Sequence, residues 1–204
     1  PMARPRWYAT WRPPRAVVKA DRKSADAGGA SRRAARRRHN AVRVYVALGS
    51  NLGDPAARVR AGAQALGKLP DTRLVCCSSL YRTAPVGITD QPDFINAVCE
   101  ADTSLPPGAL MQALLDIEHA QGRQRDIPGG PRTLDLDLLL YGELACHEPG
   151  LTLPHPRLHE RAFVLYPLSE IAPGLSIPGR GPVETLLAAC AGQAIERLAE
   201  RIYD

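Results

Sequence analysis

The sequence predicts an α+β fold, a mainly antiparallel central sheet with helices packed on its faces. Three observations carry this. Apolar residues alternate with a period of two at 42–48 and again at 94–102, which is strand patterning. Val59, Ala63 and Leu66, and later Leu110, Leu114 and Ile117, repeat instead at helical spacing. The two kinds of segment alternate irregularly along the chain, as in sheets covered by helices rather than in regular βαβ repeats.

Val42, Val44, Val46 and Leu48 form the first strand, with Arg43, Tyr45 and Ala47 on its other face. The strand runs into the turn cluster Gly49-Ser50-Asn51-Leu52-Gly53. Asp54 then suits an N-cap and Pro55 a first helical position, and Pro70 closes the helix. Residues 73–82 read as a second strand, broken by Thr83-Ala84-Pro85-Val86-Gly87. In the strand at 94–102, Ile95, Ala97, Cys99 and Ala101 line one face, and Phe94, Asn96 and Val98 the other. Ser104, Pro106 and Pro107 open a helix that ends at Gly122. A polar loop with three arginines leads to a strand at 134–140. A proline-rich loop at 149–158 precedes a short helix at 159–171, and a last helix is expected over 183–201. No internal repeat is present.

The 204 residues suit one domain with a tail. Charge divides the two. Residues 1–40 hold 12 of the 26 basic and two of the 21 acidic residues, leaving 14 basic against 19 acidic residues in 41–204. The basic first segment lacks hydrophobic periodicity and reads as a disordered extension. An overlong translation start, an organelle transit peptide and a nucleic-acid-binding arm are the alternatives. The acidic balance of the body argues against nucleic acid there. No apolar run of about 18 residues is present, so no membrane-spanning helix is expected. The five cysteines, at 76, 77, 99, 146 and 190, form no C-x-x-C pair and are expected as reduced thiols.

The strand Leu134-Asp135-Leu136-Asp137-Leu138 carries the chemistry. Side chains two apart share a face, so Leu134, Leu136, Leu138 and Leu140 fill the core while Asp135 and Asp137 point together, their Cα atoms about 6–7 Å apart. Such a pair repels unless a cation lies between, and hard oxygen ligands select Mg²⁺. The plainer reading is an edge strand with a solvated acidic face. Arg123, Arg125 and Arg132 precede this strand within ten residues, and arginine grips phosphate through its fork. Arginines, an aspartate pair and Mg²⁺ are the parts phosphoryl transfer needs. No G-x-x-x-x-G-K-[ST] loop is present, so a P-loop enzyme is excluded. The turn at Gly49-Ser50-Asn51 offers backbone N–H groups to an anion. His155, between Pro154 and Pro156 with Arg161 six residues on, suits a phosphate contact.

Five motifs then occur in order: Tyr45-Val-Ala-Leu-Gly-Ser-Asn-Leu-Gly53, Tyr81-Arg-Thr-Ala-Pro-Val-Gly87, Gln91-Pro-Asp-Phe-Ile-Asn-Ala97, Pro131-Arg-Thr-Leu-Asp-Leu-Asp-Leu138 and Pro154-His-Pro-Arg-Leu-His-Glu-Arg-Ala-Phe163. Together, over about residues 42–200, the chain resembles the 6-hydroxymethyl-7,8-dihydropterin pyrophosphokinases. The resemblance implies a ferredoxin-like αβα fold. It also implies a cytoplasmic, monomeric enzyme of folate synthesis that transfers diphosphate from ATP to a pterin alcohol and releases AMP. Carried over by position, Asp135 and Asp137 would hold two Mg²⁺ ions. Arg123, Arg125, Arg132, Leu138, His155 and Arg161 would contact ATP, with Arg123 and Arg132 also catalytic. Thr83, Pro85, Val86, Phe94, Asn96 and Phe163 would bind the pterin, the two phenylalanines clamping its ring. The chain departs from the family in the loop Asp126-Ile-Pro-Gly-Gly-Pro-Arg-Thr133, which is one residue short and has glycine where many members carry the tryptophan of an Arg-Trp pair. Phe94 also stands where the family has tyrosine. A nucleic-acid-binding protein and a metal-dependent nuclease using the same aspartates are the rival classes.

Overall fold

A computed structural model describes residues 41–85, 90–123 and 130–202. The basic segment 1–40, Val86, Arg125 and residues 126–129 of the shortened loop lie outside the described residues. Strand β1 (Val42–Ser50) runs at the centre of a six-stranded antiparallel sheet, between β4 (Phe94–Thr103) and β5 (Asp135–Tyr141). Strands β2 (Thr72–Cys77) and β3 (Ser79–Thr83) both pair with the far side of β4, and β10 (Ile195–Arg201) adds to β3. Strand β5 is one edge of the sheet and β10 the other.

Helices α1 (Pro55–Gly67) and α2 (Pro107–Ala120) cover one face. Asp54 caps α1 by accepting from Ala57 N at 3.0 Å. Val59, Ala63 and Leu66 of α1, and Leu110, Leu114 and Ile117 of α2, pack on Val44, Val46, Leu48, Ala97, Leu136 and Leu138. Gly62 lets the helix close on the sheet: a Cβ there would meet Leu134 at 3.0 Å and Leu48 at 3.1 Å. Leu134 is wholly buried, and trimming such a leucine to alanine costs about 2–5 kcal/mol. The second face is covered by α3 (Ala162–Ile171) and α4 (Val183–Ala189), which bury Val164, Leu165, Leu168 and Val183 against Tyr45, Val98, Leu139 and Leu140. The result is the α/β/α sandwich expected.

Several elements differ from their sequence reading. The strand expected over 73–82 is two strands separated at Ser78. There the serine hydroxyl accepts from Val98 N at 3.0 Å, standing in for a main-chain partner. The proline-rich loop contains a hairpin, β6 (Cys146–Glu148) with β7 (Leu151–Leu153). A two-stranded ribbon, β8 (Ser176–Ile177) with β9 (Gly181–Pro182), precedes α4. The short helix at 159–171 is a 3₁₀ turn, Leu158–Glu160, followed by α3.

The last helix ends at Ala189 instead of reaching 201. Gln193 fixes the turn after it, accepting from Ala162 N at 2.9 Å and donating to Glu160 O at 2.7 Å. Residues 195–201 are good helix formers, but they pair with β3, so an edge position in the sheet overrides propensity. Leu140 does not share the face of Leu138. Pairing of β1 with β5 slips between Tyr45 and Val46, and this bulge sends Leu140 to the same core as Leu139. Cys77 and Cys99, directly opposite in β2 and β4, form a disulfide with their Cα atoms 4.2 Å apart, rather than two of the five thiols expected. Cys76, Cys146 and Cys190 remain free.

Candidate active site

The face of the sheet that α3 leaves open, near the start of β5, carries a cavity of about 600 Å³. It is lined by Arg123, Arg132, Asp135, Asp137, His155, Arg161, Thr83, Phe94, Asn96 and Phe163. Ten expected site residues from six stretches of chain therefore meet in one place. A second cavity of about 550 Å³ opens beside it, lined by Leu138, Thr152 and the β6–β7 turn. The two meet at Met111, Asp137 and His155. Leu138 is buried in the core, so it presents little beyond its main chain. Pro85 is half-buried and does not line either cavity; its neighbours Thr83 and Ala84 line the first.

Strand pairing explains the constellation. Asp135 lies opposite Gly49, Asp137 opposite Ala47, and Asn96 opposite Gly49 from the other side. All face α3, because alternation sends Leu136 and Leu48 to the other core. The start of β5 is held by the turn after β1. Ser50 Oγ donates to Thr133 O at 2.6 Å, and Asn51 N donates to Arg132 O at 3.2 Å. Asn51 Oδ1 accepts from Arg132 N at 2.8 Å, while its Nδ2 donates to Gln91 Oε1 and Pro92 O. The Gly-Ser-Asn turn thus clamps two loops together, and its Asn51 N–H is spent on that clamp rather than offered to an anion.

Both oxygens of Asp135 are taken, one by Arg123 Nη1 and the other by Arg132 Nη1. Burial works against its charge, but the guanidiniums of Arg132 and Arg123 outweigh this and hold its carboxyl below the ordinary 3.8. Asp137 goes the other way. Burial and the charge of Asp135 push it up, against the opposing pull of His155 and Arg161. Arg161 Nη1 donates to Asp137 Oδ2 at 3.3 Å, and His155 Nε2 lies 3.7 Å from the same oxygen. His155 Nδ1 accepts from Arg157 N, so the ring proton sits on Nε2 and points toward Asp137. Burial lowers the pKa of this imidazole.

At the other end of the cavity Asn96 Nδ2 donates to Thr83 Oγ1 at 2.9 Å. Arg132 lies over the Phe94 ring at 5.6 Å, and Arg161 over Phe163 at 5.5 Å, so each phenylalanine joins the aromatic end to the charged end.

The sequence reading gave no role to Arg157, Gln193 and Glu118, and read Asn51 only as part of an anion-binding turn. Both Gln193 and Arg157 line the cavity; Arg157 falls within the fifth motif, Gln193 outside all of them. Glu118 did carry a signal. It falls four residues after Leu114 on the buried stripe of α2, where an acid is out of place. Among the described residues no three His, Cys, Asp or Glu side chains are grouped to hold a metal ion. Two carboxylates alone fit Mg²⁺ well, because that ion keeps water and takes its remaining ligands from substrate phosphates. The upward push on Asp137 marks the same place as short of positive charge.

An α/β/α protein with one cleft, cationic and acidic at one end and aromatic with an amide at the other, is built for a phosphate-bearing ligand and a flat, hydrogen-bonding one. Residues 45–173 match the sequence model of the 7,8-dihydro-6-hydroxymethylpterin-pyrophosphokinases, and the chain belongs to that family. It is 52% identical over 156 residues to the 2-amino-4-hydroxy-6-hydroxymethyldihydropteridine pyrophosphokinase of Pseudomonas aeruginosa, covering 76% of this chain and 96% of that one. The protein of the same name from Haemophilus influenzae is 42% identical over 157 residues, covering 77% and 98%. Among solved structures, wild-type Plasmodium falciparum HPPK-DHPS aligns with a TM-score of 0.58 at 12% identity, over 72% of this chain and 44% of that one, which supports the shared fold.

Proposed function

We infer that this chain transfers the diphosphate of ATP to the hydroxymethyl group of 6-hydroxymethyl-7,8-dihydropterin, giving the pterin diphosphate and AMP, a step of tetrahydrofolate synthesis. The observation that carries the reading is the meeting of two cavities at Asp137, with carboxylates and arginines at the junction and an aromatic, amide-bearing wall beyond it. ATP lies with its base side in the cavity at Leu138 and its phosphates at the junction. The pterin lies between Phe94 and Phe163, with Asn96 reading its ring edge and Thr83 holding that amide.

The hydroxymethyl oxygen bonds to the β-phosphorus as the bond from that phosphorus to the α–β bridging oxygen breaks. AMP leaves with the bridging oxygen, and the hydroxyl proton passes to solvent. Arg123, Arg132 and Arg161 neutralise charge on the phosphates, and the neutral His155 donates a hydrogen bond from Nε2. Asp135 and Asp137 would hold two Mg²⁺ ions, which supply charge neutralisation and in-line orientation of the phosphates. The enzyme is taken to act as a monomer. The need for ATP fits work in the cytoplasm.

Titrating a non-hydrolysable ATP analogue with and without Mg²⁺ tests the site. Tight binding only with the ion is expected; equal binding after chelation would count against the carboxylate roles.

A further inference from the structure

Glu118 is 2% exposed, on the apolar stripe of α2 beside Leu114 and Ile117. A buried ion pair is a poor stabiliser, and an apolar side chain fills such a stripe at less cost in desolvation. Its partners give the position another reason. The main-chain carbonyl of Glu118 accepts from Arg123 N at 3.1 Å, and its Oε1 accepts from the Arg123 guanidinium. The same oxygen accepts from Leu136 N at 2.7 Å, on the strand that carries both aspartates. Glu118 therefore holds Arg123 both at its main-chain N–H and at its guanidinium. The guanidinium nitrogen that reaches Glu118 also reaches Asp135 Oδ1.

A cation binding at Asp135 disturbs this arrangement. Both oxygens of Asp135 are occupied by arginines. A cation at Asp135 takes a lone pair from Oδ1 and repels the guanidinium beside it. With neither Asp135 nor Glu118 to hold it, the long Arg123 side chain would have to be re-ordered on phosphate at an entropic cost.

We propose that Glu118 is a positioning residue for Arg123. It retains the guanidinium at the junction of the two cavities while Asp135 exchanges that contact for the cation of a metal–nucleotide ligand, so Arg123 meets the phosphate already oriented. This rests on the reading of the cleft given above.

A double-mutant cycle tests it, with the Mg²⁺ complex of a non-hydrolysable ATP analogue as probe and calorimetric Kd as readout. Glu118→Gln keeps an acceptor for Leu136 N but removes the charge that holds Arg123. The variant should bind the probe roughly tenfold more weakly. The Kd for the pterin alone should not change. In an Arg123→Ala background, Glu118→Gln should cause no further loss. If Glu118→Gln binds like the parent protein, or if its effect persists undiminished in the Arg123→Ala background, the proposal is overturned. Arg123→Ala binding like the parent protein would overturn the reading of the cleft, and the proposal with it. Should Glu118→Gln melt too low for titration, Glu118→Asp carries the same cycle, since it keeps the charge but shortens the arm.

Discussion

Gly49 and Asn96 lie opposite each other in β1 and β4, and a Cβ on Gly49 would stand 3.1 Å from Asn96 Oδ1. The glycine is needed here for the room it leaves the amide. Asn96 is fixed from its other side by the bond from Nδ2 to Thr83 Oγ1. A methyl at 49 forces the amide off that bond or away from the pterin edge. Gly49→Ala should weaken pterin binding by about 1 kcal/mol, one hydrogen bond's worth, with ATP binding and the thermal midpoint little changed. Separate titrations of the two ligands check this; unchanged pterin affinity would mean the amide yields without cost.

The two aspartates should separate stability from function. Asp135 balances Arg123 and Arg132, so Asp135→Asn leaves two partly buried cations short of a partner and should lower the melting temperature. Asp137 is raised by burial and by the charge of Asp135. A carboxyl with a raised folded pKa costs stability once pH exceeds the ordinary 3.8 and the group must ionise in the fold. Asp137→Asn removes that cost at neutral pH and should raise the melting temperature. Both variants should lose most turnover. Melting curves that move in the same direction would contradict the charge assignment.

Phe163 tests the aromatic wall. It lines the cavity beside Arg161 and also packs partly against the α3 core. A stacking role predicts that Phe163→Ala weakens pterin binding by about 1–3 kcal/mol while leaving ATP binding nearly intact. A purely core role predicts a stability loss of about 3–5 kcal/mol with unchanged pterin affinity. A melt and two titrations on one variant distinguish them.

Glu170 ties the last strand to the sheet. Its carboxylate accepts from Ser79 N, Ser79 Oγ, Tyr81 Oη and Arg197 Nη2. Burial raises its pKa, but these partners outweigh burial and hold it below the ordinary 4.5. A depressed carboxyl adds stability that is complete above 4.5 and lost as pH falls through the lower folded value. The protein should therefore lose stability in that acid window, and Glu170→Gln should flatten the loss. A pH series of melting temperatures on both proteins makes the comparison; identical slopes would show that the anchor does not titrate as described.

The sheet and the central site were legible in the sequence because they rest on local periodicity. Two residues on one strand face disclosed the aspartate pair, and the order of motifs around Phe94, Asn96 and His155 supplied the rest. What stayed hidden depends on distant partners. Nothing local in 195–201 says that helix formers will pair with β3, and the bulge that turns Leu140 away is set by the partner strand β1. Glu118 went unread, because its meaning lies in Arg123 and in the edge of β5. Asn51 read as an anion-binding turn until its partners at 91, 92 and 132 were in place.

Mixing the purified protein with ATP, Mg²⁺ and 6-hydroxymethyl-7,8-dihydropterin, and separating the nucleotides, tests the central claim most directly. Diphosphate transfer predicts AMP and the pterin diphosphate in equal amounts, with no product when Mg²⁺ is chelated. ADP in place of AMP would replace the reading with single-phosphoryl transfer, and no nucleotide turnover would contradict it outright.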